Sequence, residues 1–227
     1  MTIEIFFKYF FAIIALLFSI SYATIYIVKT YKEKNHKVDL TNYFILYFAL
    51  FFWTLYGTYS YEREIIITIS GILLLIFLSI IISLLLKYKK SRWFSIFIFL
   101  TTIFIITLIV VYALSFANNW TSFNWLVIVY GFLAINMTYI IFWKKIYNLI
   151  KVKKIENILF INLIIQFIIN TFWTLYWLIL FSISLNLSFD FFYILIIQIL
   201  TMIIYISLLT YRIYNWKNKG NLIKNKN

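Results

Sequence analysis

Cysteine and proline are both absent from the 227 residues, and there are only four glycines and one histidine. Without cysteine there is no disulfide and no thiolate metal site. A lone His36, in a lysine-rich stretch, leaves no basis for an imidazole site either. Without proline no helix can be kinked by a ring. Any hinge must come from Gly57, Gly71 or Gly131, or from Ser and Thr bonding back to the helix backbone. Four glycines cannot build a nucleotide-phosphate cradle. Acidic residues number seven against twenty basic ones. No carboxylate pair lies in an apolar run, and no Ser–His–Asp set exists. No enzyme chemistry and no cofactor are therefore expected.

What is present is apolar surface. Hydrophobic residues make up 65% of the chain and charged residues 12%, where a soluble domain has about half and about a quarter. A polytopic membrane protein with little mass outside the bilayer is expected. A spanning helix needs about 20 apolar residues. Seven such runs occur, at 9–28, 41–61, 65–86, 93–116, 121–143, 158–181 and 190–211. The first lacks a small-residue cleavage site and reads as a retained helix.

The charges lie between the runs. The 29–39, 87–92 and 144–156 segments and the C-terminal tail hold 18 of the 20 basic residues. With seven spans these segments share one side of the membrane. The other side receives Glu4, Glu62, Glu64 and Asp190. Lys- and Arg-rich short loops stay cytoplasmic, which predicts an outside N-terminus and a cytoplasmic C-terminus. The charge of +13 then faces anionic headgroups, and no nucleic-acid partner is expected. Asn119-Trp-Thr and Asn186-Leu-Ser fit the glycosylation pattern and fall in outside turns.

The pentapeptide FWTLY occurs twice, at 52–56 and at 172–176, in the second and the sixth run. A copy in each set of three predicts an all-α transmembrane fold with seven helices arranged as 3+1+3. Two parallel three-helix-bundle repeats, 1–90 and 119–214, are joined by a linker helix at 91–118, and 215–227 forms a basic cytoplasmic tail. The odd fourth helix restores the direction of the second set.

Polar residues inside the runs are the candidate site. Asn162, Gln166, Asn170 and Trp173 share one face of the sixth helix. Amides in hydrocarbon need partners, so that face looks into the bundle, either as the wall of a polar pathway or as interhelical glue. Trp53 and Trp173 each lie roughly 12 Å inside the outer end of their helix, deep for the interfacial belt. A flat indole with one N–H suits a sugar ring or an aromatic ligand. Thr68, Ser70, Gln198, Thr201 and Asn136 are further polar candidates. Asp190 reads as a cap on the seventh helix.

The 3+1+3 plan, the outside N-terminus and the paired W-x-x-Y motifs resemble the SWEET and SemiSWEET sugar transporters and the wider PQ-loop superfamily. In the first repeat the likeness runs through Lys29-Thr30-Tyr31-Lys32-Glu33-Lys34, Asp39-Leu40-Thr41, Phe52-Trp53-Thr54-Leu55-Tyr56-Gly57 and Gly71. In the second it runs through Tyr147-Asn148, Lys153-Lys154-Ile155-Glu156-Asn157, Phe172-Trp173-Thr174-Leu175-Tyr176 and Asp190. The Pro–Gln pair that names the superfamily is absent, with Ile25-Tyr26 in its place. The family's hinge prolines are missing, and its sugar-binding asparagines on the third and seventh helices are replaced.

The resemblance implies a facilitative transporter of a small polar solute, most of all a sugar, with a carrier of an amino acid or another metabolite as the alternative, working by alternating access between the two repeats. Trp53 and Trp173 would flank the solute. Asn170, Gln198 and Thr68 or Ser70 would hydrogen-bond it. The partners are then the lipid bilayer and the solute, and a homo-oligomer is compatible with this plan. A seven-helix receptor or sorting protein that binds without transporting is the reading from a different class.

Overall fold

The computed structural model describes residues 3–33, 40–60, 64–118, 124–151, 160–183 and 189–224. The expectations placed on His36, Glu62, Asn119 and Asn186 lie outside the described residues. Among the described residues the fold is all-helical, with seven helices: α1 Ile3–Glu33, α2 Thr41–Tyr59, α3 Ile65–Tyr88, α4 Phe94–Ala117, α5 Asn124–Lys151, α6 Phe160–Ile183 and α7 Phe189–Lys224. Each covers one of the expected runs.

Five stretches are long and apolar enough to cross a membrane: Ile3–Lys32, Ile65–Tyr88, Phe94–Ala117, Ile161–Ile183 and Phe191–Tyr214. This is the helix complement of an integral membrane protein. In α2, Tyr, Thr, Trp and Gly interrupt the apolar residues and lower its hydropathy. The apolar part of α5 is the shorter Trp125–Ile140.

Three helices overrun their expected ends. Lys29 and Lys32 lie in α1, Lys144, Lys145 and Lys151 in α5, and Arg212, Lys217, Lys219 and Lys224 in α7. Lysine and arginine are good helix formers, and no proline stands there to stop the chain. Cations near a helix C-terminus also oppose the macrodipole. α7 thus continues through the basic residues to Lys224.

The chain divides into two compact units. One holds Leu16–Phe142 and Ser188–Asp190, and so contains α2, α3 and α4 with most of α5 and the later part of α1. The other holds Met1–Ala15, Trp143–Leu187 and Phe191–Asn227, which is α6 and most of α7 with the ends of α1 and α5.

In the first unit Leu75, Leu78, Ile82, Leu85 and Leu86 of α3 form a core with Tyr47 and Leu108. Phe44 meets Phe97 edge-on with centroids 5.9 Å apart, and Phe51 meets Phe104 at 5.2 Å. The contact of α4 with this core is narrow. Its buried residues are Thr101, Leu108 and Ser115, seven apart and therefore one stripe of a helix. Ile103, Ile106, Ile109 and Val110 are exposed, as suits a helix that faces lipid on most sides.

The α3–α4 turn is tight. Ser91 N–H donates to Leu86 C=O and Lys90 N–H to Lys87 C=O, both at 3.0 Å. This pair of bonds is a Schellman motif, and it requires a left-handed residue just past the helix end. Lys90 occupies that position with φ 52°, where glycine is the usual choice.

Candidate functional site

The first copy of the pentapeptide lies in the C-terminal half of α2 and the second in the middle of α6, and both take the same local form. Thr54 and Thr174 are buried, and each returns its hydroxyl to the carbonyl four residues back, Leu50 at 2.9 Å and Asn170 at 2.7 Å. Tyr56 and Tyr176 are fully buried. Each tyrosine receives its tryptophan edge-on. The Trp53–Tyr56 centroids are 5.9 Å apart at 89°, and the Trp173–Tyr176 centroids 5.5 Å apart at 90°. Edge-to-face is a favoured geometry for two rings one helical turn apart. Both indoles are half-buried.

The tryptophans differ in their hydrogen bonds. Trp53 Nε1 donates to Thr138 Oγ1 at 3.0 Å, and the Thr138 hydroxyl in turn donates to Ala134 C=O at 2.7 Å. Trp53 is therefore tied to α5. Trp173 makes no side-chain hydrogen bond among the described residues. Thr138 is a participant that sequence reasoning missed. Nothing in its local pattern sets it apart from other back-bonded threonines in these helices.

The α2–α3 crossing is close because glycine stands on both sides. A Cβ on Gly57 would lie 2.6 Å from Thr68 Oγ1 and 2.7 Å from Thr68 N. A Cβ on Gly71 would collide with Thr54 Oγ1 and lie 3.2 Å from Leu50 C=O. Thr68 is consequently fully buried, with its hydroxyl 3.5 Å from Thr58 Oγ1 and 3.4 Å from Glu64 C=O. Ser70, also buried, donates to Ile67 C=O at 2.8 Å. Glu64, expected in an acidic turn, is buried at the start of α3 with 1% exposure. Its carbonyl accepts from the N–H groups of Ile67 and Thr68.

The α6–α7 pair is built on amides. Asn170 Nδ2 donates to Gln198 C=O at 3.3 Å, and both residues are buried. Tyr205 Oη reaches Gln166 Oε1 at 3.5 Å, and Thr171 Oγ1 lies 3.3 Å from Met202 Sδ. The face that carries Gln166 and Asn170 is thus turned toward α7. Asn162, one turn earlier, is half-buried. Asn136 in α5 bonds its own helix at Phe132 C=O, 2.8 Å. Asp190 stands in the first turn of α7.

Part of the burial pattern recurs beyond the pentapeptide. At an offset of 130 residues, Glu64 at the α3 N-cap and Ile67, Thr68, Gly71, Leu75 and Leu78 of α3 correspond to Ile194, Ile197, Gln198, Thr201, Tyr205 and Leu208 of α7, all buried, whereas the buried Ser70 and Ile81 correspond to the exposed Leu200 and Tyr211. Thr68 and Gln198 are equivalent in this register. The substitutions have a physical consequence. Where the first hairpin has Gly57, the second has Trp177, 2% exposed and packed on Phe191 at 5.9 Å. Where the first has Gly71, the second has Thr201. The second hairpin cannot use the glycine approach, and it fills the crossing with amides and rings instead. A scan against protein-family models finds no match for this chain, and a search of the curated proteins finds none either.

Proposed function

We propose that this protein is a facilitative transporter of a small polar solute, a sugar before an amino acid, built as two parallel three-helix repeats around a linker helix, α4. The N-terminus is outside and the basic ends of the helices are cytoplasmic. The observation that carries this reading is the repeated Trp–Tyr pair. Two half-buried indoles, each held edge-on to a fully buried tyrosine, are maintained at equivalent points of two hairpins. A pure packing role gives no reason to keep both indoles accessible at matched positions. A rigid ring with an open face suits the apolar side of a sugar.

The two repeats have different tasks in this reading. Trp173 has its indole N–H uncommitted among the described residues, and it lies one turn from Asn170. It is the specific half of the site, with Asn170 and Gln198 as amide partners. Trp53, tied to Thr138, is the fixed stacking wall. Thr68 and Ser70, buried in α3, are the polar residues of the third helix that this reading assigns to the same half. Alternating access moves one repeat against the other. No charged side chain is assigned to the pathway, which favours passive transport over ion coupling.

Counterflow of labelled mono- and disaccharides in proteoliposomes, beside neutral amino acids, tests this. Saturable sugar counterflow is expected, reduced about tenfold or more in Trp53→Ala and in Trp173→Ala. Trp53→Phe keeps an aromatic face and removes the indole N–H that bonds Thr138. It is expected to retain transport and to lose about 1 kcal/mol of stability. Amino-acid counterflow alone would move the substrate to the second class. Binding without any counterflow would replace the transporter with a receptor.

A further inference from the structure

We propose that the groove between α3 and α4 binds one anionic glycerophospholipid from the leaflet on the basic side of the protein. The groove has a volume of about 420 Å³ and is lined on one side by Ile76, Ile80 and Leu84 and on the other by Ile98 and Ile105. Lys87 closes one end. From Ile76 to Lys87 the helix rises about 16 Å, close to half of a hydrocarbon core about 30 Å thick. The groove therefore spans one leaflet, apolar at depth and cationic at its rim. That is the polarity of a single lipid with its chain along the helices and its headgroup at the end.

The rim is more basic than one lysine. Lys87, Lys89, Lys90 and Arg92 fall within six residues around the α3–α4 turn, and all four are exposed. The carbonyl end of α3 adds a negative dipole there, so the cations are held where they neutralise it and still face outward. Lys90 adopts the left-handed backbone of the Schellman motif, where glycine would cost less. A charge is kept at the rim against a conformational preference. Arg92 lies 5.6 Å from the centroid of the Trp93 ring, and that indole, 55% exposed, marks the headgroup level at the start of α4.

Hydroxyls in the groove divide in two. Ser79 donates to Leu75 C=O and Thr101 to Phe97 C=O, both within their own helices. Ser83 and Thr102 make no hydrogen bond among the described residues. Ser83 stands one turn below Lys87, at the level where the ester carbonyls of a bound lipid would accept its proton. A protein partner is the weaker fit, because the wall of α4 is apolar along its membrane-facing length while the charge is confined to one rim.

The test is lipid retention on the purified full-length protein by native mass spectrometry, during titration with phosphatidylglycerol or phosphatidylcholine. One phosphatidylglycerol is expected to be retained saturably, with phosphatidylcholine bound at least tenfold more weakly. Lys87→Gln is expected to weaken phosphatidylglycerol about fivefold, the effect of one cation near an anionic lipid surface. Arg212→Gln, which removes the same charge from α7, an element that does not line the groove, should change nothing. Thr102→Phe fills the groove from an exposed position of α4 and should abolish saturable retention while the protein stays folded. Equal retention of the two lipids, or Lys87→Gln and Thr102→Phe variants that bind like the parent, would overturn the site. Displacement by inorganic phosphate at matched concentration would also overturn it, since that would reduce the site to an ion contact at the rim.

Discussion

Glycine at two positions governs how α2 and α3 meet. A valine at Gly57 would place its Cβ 2.6 Å from Thr68 Oγ1, and a valine at Gly71 would run into Thr54. The nearest atoms include the backbone of Thr68 and of Leu50, which cannot swing aside. Overpacking of this kind costs about 1–3 kcal/mol. Gly57→Val and Gly71→Val are therefore expected to lower the thermal unfolding midpoint in detergent, and an unchanged midpoint in both would disprove the close approach. The tryptophan pair was legible at this scale, since a repeated pentapeptide stands out even in a biased composition. The partner Thr138 was not, because a hydrogen bond between positions 53 and 138 leaves no local trace. Thr68 stood out as a polar residue of the third run, but its contact with Gly57 left no local trace either.

The helices are the next scale, and their ends carry the information. The apolar runs marked where helices lie, but not where they stop. A hydropathy pattern registers the edge of the bilayer, whereas a helix persists until a breaker or a tertiary contact ends it. With no proline, α7 continues through the basic tail to Lys224 and α5 through Lys144 and Lys145 to Lys151. The α3–α4 connection is the opposite case, a sharp stop with a non-glycine residue at φ 52°. Lys90→Gly relieves that conformation and is expected to stabilise the protein by about 1 kcal/mol, read as a higher unfolding midpoint. A lower midpoint would mean that the lysine side chain holds the turn. The turn motif itself was not legible, since its sequence contains none of the usual glycine or asparagine signals.

At the scale of the whole molecule the proposal depends on sidedness. The absence of cysteine makes the natural chain its own background for single-cysteine labelling. Ser91→Cys and Asn118→Cys lie at opposite ends of α4. In inside-out vesicles a membrane-impermeant maleimide is expected to label Ser91→Cys, and in right-side-out cells Asn118→Cys. The reverse pattern would invert the orientation, and labelling of both from one side would refute α4 as a span.

Composition and periodicity by themselves determined an all-helical membrane protein, with one helix of the described residues for each of the seven apolar runs, because the bilayer imposes a length and a polarity that any chain must display in one dimension. They also determined the positions of the repeated tryptophans and the clustering of basic residues between the apolar runs. Only the tertiary structure decided that Trp53 is bound to α5 and that Asn170 and Gln198 join α6 to α7. It also decided that Thr68 is sealed under Gly57 and that α4 touches its core along a single stripe. These depend on which faces meet across the bundle. In a sequence that is apolar nearly all round each helix, there is little amphipathic contrast to say in advance which face that will be.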